Sequence, residues 1–560
     1  MDSKKIVIVG GVAGGASCAA RARRNSEKAE IIMIERGPFV SFANCGLPYH
    51  VGNVIRKEDD LLVATPELFR NRFAIEVRTR CEAVSIDREN KTVALKNLVT
   101  GEEYRESYDV LVLAPGASPF RPPIPGMDLP GIFTLRNIPD TRAIREWVKA
   151  KHVKRALVAG AGFIGMEMAE NLIHRKIAVT VVELEKHALP ALDPEMSSPI
   201  QDVLAKYQAD LRTGTGVSSI SQGPSGLLVK LSDGDEIETD MVLMSVGVRP
   251  ETALARGCGL EVGVTGGIKV DGFMRTNDPS IYAVGDAVEV NDRITGLPRL
   301  LAMAGPANRQ GRLAADVILN VNDRKPFAGV IGSAVCGVFE VTAAMTGHTE
   351  KSLARCAAQG KAIPYDTVTC HPPHHSTYYP NAERMALKLI FGIGDGKILG
   401  AQAVGGGGVA RRIDVIASYI DQNGTVYDLE DAELCYAPPF GSAKDPVNIA
   451  GMIAANALRG YSPIVHWTDP LPPKTILIDV RDPDETVRQG YAGGALLIPL
   501  ETLRKTFSEL PKDRQIWVYC QIGQRAHYAV RLLRENGYDA RNVTGGFTTY
   551  IHHEPFYDLP

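Results

Sequence analysis

Short apolar runs followed by glycine-rich turns recur along the chain and define its predicted elements. Residues 6–9 are all β-branched aliphatic residues, and a glycine-rich turn, a run of small residues and a second apolar run at 31–34 follow them. The same order returns between residues 156 and 182. Buried parallel strands have continuous apolar runs, and the order strand, glycine turn, helix, strand forms a nucleotide-binding βαβ unit. The pattern therefore predicts two such units in one chain.

Beyond residue 325 the hydrophobic pattern loosens into mixed strands and helices, which predicts a separate α/β layer as far as residue 460. Prolines then cluster between residues 463 and 473 and indicate a linker. A new short α/β unit begins with the apolar run at 476–478, and about 90 residues remain for it, enough for a small domain. Three to four domains are expected from 560 residues.

Composition narrows the class of protein without identifying a ligand. Hydrophobic residues make up 45% of the chain and charged residues 23%, which excludes disordered, coiled-coil and collagen-like proteins. Because 62 Lys and Arg face 65 Asp and Glu, no global charge favours nucleic acid or a membrane surface. No apolar stretch is long enough to predict a membrane span. The nine cysteines are scattered and form no CxxC pair, which predicts a reducing, cytoplasmic location and no metal site.

The second βαβ unit carries a complete dinucleotide-binding motif. Gly160, Gly162 and Gly165 fill the positions that allow a tight turn, a close approach to pyrophosphate and close packing of helix on strand. Glu183 ends the next strand, where a carboxylate accepts hydrogen bonds from a ribose and repels a 2′-phosphate. A simple turn and a solvated strand end are the alternatives. The acidic partner at this spacing favours NADH binding.

The first unit departs from the motif because Val12 occupies its second glycine position. Glu35 at the end of the next strand restores the acidic partner. Two dinucleotide sites in one chain suggest two redox carriers, a flavin and a nicotinamide. We therefore expect FAD at the first unit, with contacts from Gly10, Gly11, Ala13, Gly14 and Glu35.

Two further segments resemble the two-dinucleotide flavoprotein disulfide reductases. Residues 276–286, which end in Gly285-Asp286, resemble their second FAD signature. The resemblance implies that Asp286 hydrogen-bonds the ribityl chain of FAD. Residues 113–117 resemble the crossover motif, with Pro115 in place of threonine, and imply a cofactor contact at Ala114.

Cys45 lies soon after the first unit and has no second cysteine about five residues further on. An internal disulfide facing the flavin is therefore not available. A single thiol beside a flavin can cycle as a mixed disulfide, a persulfide or a sulfenic acid. The alternative is a buried structural cysteine. The neighbouring glycine and proline and the position after the FAD unit favour a redox role.

Three segments together resemble the coenzyme A disulfide reductases: residues 10–15, residues 41–49 around Cys45, and residues 436–446. The resemblance extends from residue 1 to about residue 460. It implies that Cys45 holds coenzyme A as a mixed disulfide and that the molecule is a homodimer.

The same resemblance implies further residues at the substrate site. Two tyrosines would approach Cys45 from the partner subunit, namely Tyr436 and Tyr378, with Tyr379 as a close rival of the latter. Phe440 and Gly441 depart from the Tyr-Ser of the family at this place. The resemblance also implies a set of coenzyme A contacts: Ser17, Arg21, Arg24, Ser41, Asn44 and, from the other subunit, Lys444. For the cationic members of this set, the alternative is a solvated basic surface.

A second candidate active cysteine lies in the C-terminal unit. Cys520 begins the loop Cys-Gln-Ile-Gly-Gln-Arg between a predicted strand at 516–519 and a predicted helix at 526–536. Converging N–H groups in such a loop hold anions and stabilise a thiolate or persulfide, and Arg525 adds positive charge. With the segments 479–481 and 545–547, the loop resembles the rhodanese (sulfurtransferase) family. Phosphatases use a Cys-x5-Arg spacing instead, and an inert rhodanese-like module is the remaining alternative.

The fold class that these observations predict is α/β: a two-dinucleotide-binding flavoprotein with Rossmann-like FAD and NAD domains, an α/β dimerisation domain and a C-terminal rhodanese domain. The expected boundaries are 1–115 and 246–324 for the FAD-binding domain, 116–245 for the NAD-binding domain, 325–460 for the dimerisation domain, 461–472 for the linker and 473–560 for the rhodanese domain.

The fusion of the two resemblances narrows the expected activity. The chain resembles the fused NADH-dependent persulfide reductases, so we expect reduction of coenzyme A persulfide or polysulfide with release of hydrosulfide. Cys520 would deliver sulfane sulfur, and Cys45 would be reduced through FAD. A coenzyme A disulfide reductase for thiol balance is the main alternative, followed by an NADH oxidase or peroxidase. A sulfurtransferase regulated by a redox-sensing flavoprotein half is the alternative outside the oxidoreductases.

Overall fold

The computed structural model describes residues 4–552, and its contacts divide the chain into two compact units. Unit 1 consists of the chain up to Leu184 together with Gln208–Val330. Unit 2 consists of Glu185–Tyr207 and the chain from Ile331 onward. The chain therefore passes between the two units three times.

The strands include the predicted apolar runs at residues 6–9, 31–34, 476–478 and 516–519. In unit 1 they are β1 (Lys5–Val9), β2 (Glu30–Glu35), β3 (Glu76–Thr79), β4 (Cys81–Asp87), β5 (Thr92–Asn97), β6 (Glu103–Ser107), β7 (Val110–Leu113), β8 (Ala117–Pro119), β9 (Ile132–Phe133), β10 (Arg155–Ala159), β11 (Ala178–Glu183), β12 (Asp210–Thr213), β13 (Val217–Gln222), β14 (Leu227–Leu231), β15 (Glu236–Thr239), β16 (Met241–Met244), β17 (Val248–Pro250), β18 (Ile268–Lys269), β19 (Ile281–Ala283), β20 (Val288–Asn291) and β21 (Pro298–Leu300). In unit 2 they are β22 (Ala334–Val338), β23 (Val341–Gly347), β24 (Tyr365–Cys370), β25 (Ala386–Gly392), β26 (Ile398–Gly405), β27 (Ile464–Val465), β28 (Ile476–Asp479), β29 (Leu496–Leu497), β30 (Ile516–Tyr519) and β31 (Ala540–Val543).

The helices lie between these strands. They are α1 (Ala13–Asn25), α2 (Leu47–Val51), α3 (Pro66–Phe73), α4 (Ile138–Ala150), α5 (Phe163–His174), α6 (Pro194–Lys206), α7 (Ala253–Gly257), α8 (Ala304–Ile318), α9 (Glu350–Ala358), α10 (Val409–Asp421), α11 (Val426–Glu430), α12 (Pro446–Leu458), α13 (Pro483–Gln489), α14 (Leu500–Thr506), α15 (Gln524–Glu535) and α16 (Gly546–Tyr550), with short 3-10 turns at Asn44–Gly46, Glu58–Leu61 and Phe507–Glu509. None of the helices within residues 4–552 has the length and apolar character needed to cross a bilayer.

Unit 1 is built on two parallel sheets, as the two predicted βαβ units require. The first has the order β19-β7-β1-β2-β3 and the second the order β12-β11-β10-β16-β9. β1 lies inside the first sheet, where Ile8 pairs with Met33 on one side and Val112 on the other. Helices α1 and α8 pack closely, because a side chain at Gly311 would meet the Gly14 carbonyl oxygen at 2.2 Å. The run of small residues after the first glycine turn is thus explained by this helix contact.

Unit 2 contains an antiparallel sheet of order β22-β23-β26-β25-β24 with α10 packed against it. Helix α6 belongs to this unit, although it follows the second βαβ unit directly in sequence. On β25, the buried Lys388 contacts the carboxylates of Asp193, at 2.8 Å, Glu195 and Glu350. Burial opposes the charge of Lys388, but the three carboxylates outweigh it and raise the pKa. The ammonium fills the space among the three acidic groups, which is therefore an ion-pair centre.

The C-terminal part of unit 2 is a parallel sheet of order β27-β31-β30-β28-β29, with α15 against its central strands. Arg481 and Asp479 form an ion pair at 2.7 Å, and both side chains are fully buried. The Arg481 guanidinium also lies 3.9 Å from the centroid of the Phe547 ring. Because burial of an unpaired charge is costly, each member of the pair requires the other.

Candidate active sites

The first glycine turn has the backbone that a dinucleotide motif requires. Gly10 has a φ of +102°, and a side chain there would approach the Ala114 carbonyl oxygen to 2.0 Å. A side chain at Gly15 would approach the Gly10 carbonyl oxygen to 1.8 Å. The Gly11 N–H donates to Glu35 at 2.8 Å, so the predicted acidic partner contacts the turn directly. Gly15, absent from the predicted set, is the glycine that packs the helix against the turn.

The second glycine turn repeats this arrangement. A side chain at Gly165 would approach the Gly160 carbonyl oxygen to 1.9 Å, whereas nothing lies within 4 Å of a side chain built at Gly162. The Ala161 N–H donates to the buried Glu183 at 2.7 Å. The open space at Gly162, next to the N-terminus of α5, fits the pyrophosphate of a dinucleotide.

The predicted FAD contacts at Asp286 and Ala114 lie at the ends of the first sheet. Ala114 follows β7 and donates its N–H to Val9 at 2.7 Å. Asp286 follows β19 and accepts a hydrogen bond of 2.9 Å from the Arg136 guanidinium. The Arg136 carbonyl oxygen in turn accepts from the Asn44 amide at 3.1 Å. Arg136, which no sequence motif indicated, therefore connects Asp286 to the turn that carries Cys45.

Cys45 is exposed and lies in the 3-10 turn that precedes α2. A side chain at the following residue, Gly46, would meet the buried Leu61 side chain at 2.7 Å, so any larger residue there would have to displace it. Desolvation and the charge of Glu167 raise the pKa of the Cys45 thiol, while the Arg136 guanidinium opposes the rise. The charges of Glu167 and Arg136 thus act on the pKa of the thiol in opposite directions.

Glu167 is a second residue that the sequence analysis did not identify. It lies on α5 and accepts a hydrogen bond of 3.3 Å from the Tyr49 hydroxyl on α2. Burial raises the pKa of Glu167 to about 7, although the Tyr49 hydrogen bond lowers it. The carboxyl group can therefore gain or lose a proton near neutral pH. Its position seven residues after Gly160 gave no signal of a link to Cys45.

The predicted coenzyme A residues of unit 1 lie on α1 and on the loop that follows β2. Ser17 donates to Asn308, and Arg21 forms an ion pair of 2.5 Å with Asp316. Arg24 is exposed and one turn further along the helix. Ser41 has a φ of +44°, and its N–H donates to Gly11 at 2.8 Å, which joins this loop to the first glycine turn.

The predicted tyrosine pair of unit 2 is joined by a direct hydrogen bond. The Tyr378 and Tyr436 hydroxyls are 2.7 Å apart and both side chains are exposed. This bond lowers the pKa of Tyr378 and raises the pKa of Tyr436. Tyr379 instead packs edge-on against His375 at 5.6 Å, so the geometry favours Tyr378 as the partner of Tyr436. Lys444, the remaining member of the coenzyme A set, is exposed.

Residues 520–525, the Cys520 loop, run from the end of β30 into the first two residues of α15. The Cys520 carbonyl oxygen accepts from the Phe547 N–H at 2.8 Å. A side chain at Gly546 would lie 2.9 Å from the backbone nitrogens of Ile522 and Gly523, so glycine leaves the inside of the loop clear. The space inside the loop is therefore suited to an anionic sulfur group.

Arg525 does not present a free charge to this loop. Its guanidinium donates two hydrogen bonds to Glu485, at 2.6 and 2.7 Å, and one to Asp482 at 3.1 Å. Glu485 thereby raises the pKa of Arg525. The expected contribution of Arg525 to catalysis stays a prediction, but its charge is already compensated by carboxylates.

Comparison with protein families places this architecture in a known class. The model for pyridine nucleotide-disulphide oxidoreductases matches residues 4–311, and the model for the dimerisation domain of the same proteins matches residues 333–446. The rhodanese-like domain model matches residues 468–553. The chain therefore belongs to the pyridine nucleotide-disulphide oxidoreductase family and carries a rhodanese domain, which confirms the predicted fold class. Membership of this family implies that FAD and NAD(H) are the cofactors.

Individual relatives confirm both resemblances. The coenzyme A disulfide reductase of Staphylococcus aureus (strain JH9) is 35% identical over 447 residues, which are 80% of this chain and 99% of the relative. The crystal structure of reduced CoADR-RHD from Bacillus anthracis is 46% identical with a TM-score of 0.95, and the match covers 99% of this chain and 98% of that one. The NAD-dependent persulfide reductase from A. fulgidus is 35% identical with a TM-score of 0.90, covering 98% of this chain and all (100%) of the other.

Proposed function

We propose that the protein is an NADH-dependent, FAD-containing reductase of coenzyme A persulfide or polysulfide that releases hydrosulfide. The observation that carries the proposal is the presence of two different thiols: Cys45 on an exposed turn and Cys520 at the start of an anion-holding loop. Similarity to a persulfide reductase over 98% of the chain supports it. All nine cysteines are free, which fits a cytoplasmic location.

The two glycine turns are the proposed cofactor sites. NADH would bind at Gly160, Gly162, Gly165 and Glu183, where open space and the start of α5 suit a pyrophosphate. FAD would bind at the first turn and near Asp286, and when bound it would carry electrons from NADH to Cys45. Glu35 and Glu183, each already held by one N–H of its turn, have further acceptor capacity for ribose hydroxyls.

In the proposed reaction the Cys45 thiolate attacks the sulfur of coenzyme A persulfide that is bonded to carbon. Hydrosulfide leaves with the electrons of the broken S–S bond, and a Cys45–coenzyme A mixed disulfide forms. Two electrons and two protons then return Cys45 to the thiol and release coenzyme A. The balance is NADH, one proton and the persulfide giving NAD⁺, coenzyme A and hydrogen sulfide.

Residues of both units would serve this site in a homodimer. Arg24 and Lys444 are exposed cations that can bind coenzyme A phosphates by charge-assisted hydrogen bonds. The Tyr378–Tyr436 pair of the partner subunit would donate a proton to the leaving sulfur, because the bond between the hydroxyls lowers the pKa of Tyr378. The presence of a dimerisation domain supports the two-subunit arrangement.

Anaerobic stopped flow of the purified holoenzyme tests the proposal. The enzyme is reduced with NADH and mixed in parallel with coenzyme A persulfide and coenzyme A disulfide, and flavin reoxidation is followed. We expect faster reoxidation by the persulfide, with hydrosulfide as product, and no reoxidation by either substrate in Cys45→Ser. Faster reoxidation by the disulfide would overturn the proposal in favour of a coenzyme A disulfide reductase, the activity named for the Staphylococcus aureus relatives.

A further inference from the structure

The Cys520 loop contains one basic side chain, that of Arg525, and neighbouring carboxylates neutralise its charge. Gln521, Ile522 and Gln524 carry no charge. Arg525 directs both terminal nitrogens of its guanidinium to the Glu485 carboxylate and one of them also to Asp482. The Glu485 and Arg525 side chains are mostly buried, whereas the Asp482 side chain is 69% exposed.

The second arginine near the loop is neutralised in the same way. Arg481 donates to the Gln521 side chain at 3.3 Å, but it is fully buried and paired with Asp479. The Gln521 amide also donates to Thr548 at 3.1 Å, which fixes the side chain against the wall of the loop. Neither arginine therefore offers a free positive charge to a sulfur donor.

The carboxylates outnumber the cation at the mouth of the loop. Arg525 contributes one positive charge, and Glu485 and Asp482 contribute two negative charges within hydrogen-bond distance of it. Cys520 is close enough to Arg525 for the thiolate charge to raise the pKa of the guanidinium, after the larger effect of Glu485. A donor that reaches Cys520 therefore approaches a site with excess negative charge, and like charges at such distances repel.

We propose that Glu485 and Asp482 determine the donor specificity of the Cys520 site: they disfavour dianionic donors such as thiosulfate and favour persulfides, which carry at most one negative charge at the sulfur atoms that react. The inference rests on the proposed function and specifies the substrate class of its sulfur-accepting step. In that step the Cys520 thiolate attacks the outer sulfur of the persulfide, a Cys520 persulfide forms, and the donor leaves as a thiolate that takes up a proton. With thiosulfate the same attack would release sulfite.

The test compares two donors with the full-length holoenzyme without NADH. Sulfur transfer to cyanide is measured with the dianion thiosulfate and with 2-hydroxyethyl persulfide, which carries at most one negative charge. Asp482→Asn removes one charge and keeps a good helix N-cap, and Glu485→Gln removes the other. Glu509→Gln is the matched control, because Glu509 lies in the 3-10 turn whose Phe507 carbonyl accepts a hydrogen bond from Tyr538, just before the start of β31, whereas Cys520 follows the end of β30.

We expect Asp482→Asn to lower the KM for thiosulfate about two- to fivefold, with a smaller change of the KM for the persulfide, because the persulfide carries less charge. Added salt should reduce the difference between wild type and variant, because it screens exposed charges. Glu485→Gln should change the donor ratio in the same direction, and Glu509→Gln should not change it. An equal effect on both donors, or an effect independent of salt, would overturn the inference.

The proposed function has a separate readout, namely persulfide-dependent oxidation of NADH through Cys45. An unchanged donor ratio with intact NADH oxidation would therefore reject the specificity role alone. Absence of transfer from both donors in the wild type would reject the specificity role together with sulfur delivery by Cys520.

Discussion

At the scale of single residues, the reactivity of Cys45 is set by charges that come from distant parts of the chain. Burial and Glu167 raise the pKa of the thiol, and Arg136 lowers it. Since the pKa of Glu167 is raised to about 7, its negative charge is only partly present at neutral pH. The protonation of Glu167 and that of Cys45 are therefore coupled.

We expect Glu167→Gln to lower the pKa of the Cys45 thiol, because a nearby negative charge is removed. Arg136→Gln should shift it in the opposite direction. The rate of alkylation of Cys45 by iodoacetamide in the holoenzyme, measured from pH 6 to 10, gives the pKa directly. Glu509→Gln serves as the control, because Glu509 is not among the groups that shift the pKa of Cys45 or Glu167, and identical pH profiles for wild type and Glu167→Gln would contradict the coupling.

The sequence indicated only those residues of this site that belong to local motifs. Cys45, Glu35 and Glu183 follow strands or turns at fixed spacings, so the chain itself showed them. Glu167 and Arg136 reach Cys45 only through the packing of α5 and of the loop before α4 against α2 and its turn. Such proximity depends on tertiary structure and leaves no periodic signal.

At the scale of secondary-structure elements, α16 and the residues before it bind the edge of the antiparallel sheet. Thr544 accepts a hydrogen bond from the Thr369 N–H at 2.9 Å and donates to the Thr369 carbonyl oxygen at 3.2 Å. His371 and Thr549 are hydrogen-bonded at 2.8 Å. Side chains thus satisfy backbone groups that the edge strand β24 would otherwise leave unpaired.

The buried His371 should make the stability of unit 2 sensitive to acid. Burial lowers its pKa to about 3, whereas an unfolded chain has about 6.5. Between these values the unfolded state binds a proton that the folded state excludes, so the free energy of unfolding falls as pH falls. From pH 7.5 to 5.0, wild type should lose about 2 kcal/mol more than His371→Gln. Denaturant unfolding at both pH values measures this difference. Equal losses of unfolding free energy in wild type and His371→Gln would show that His371 is not the cause.

At the scale of the whole molecule, α6 is joined to the rest of unit 2 by its packing on β22, β23 and β26 and by a buried ion-pair centre. Asp193 and Glu195 bring the start of the helix to Lys388, and Glu350 completes the set. The apolar runs of the sequence predicted both βαβ units and the C-terminal sheet, since each run lies within one element. The membership of α6 could not be predicted in this way, because it depends on a lysine almost 200 residues further along the chain.

Replacement of Lys388 by Met should destabilise unit 2 by about 3–5 kcal/mol, because it leaves buried carboxylates without their cation. Lys397→Met is the control, since Lys397 and its partner Asp395 are both exposed and such pairs contribute at most about 1 kcal/mol. Urea denaturation followed by tryptophan fluorescence in a Trp147→Phe background, which leaves only Trp467 and Trp517, reports on unit 2. Equal unfolding midpoints for the two variants would show that Lys388 does not stabilise unit 2.

The interleaving of the two units also affects the order in which the chain can fold during synthesis. Helix α6 leaves the ribosome long before the sheet that receives it, because Lys388 follows Asp193 by 195 residues. At about 5–20 residues per second, that interval lasts roughly 10–40 s. Until residues beyond Ile331 emerge, the segment Glu185–Tyr207 has no partner from its own unit, whereas unit 1 is complete once Val330 has emerged. The nascent chain therefore carries an amphipathic helix whose apolar face is not yet covered, and we expect chaperones to bind the chain during this interval.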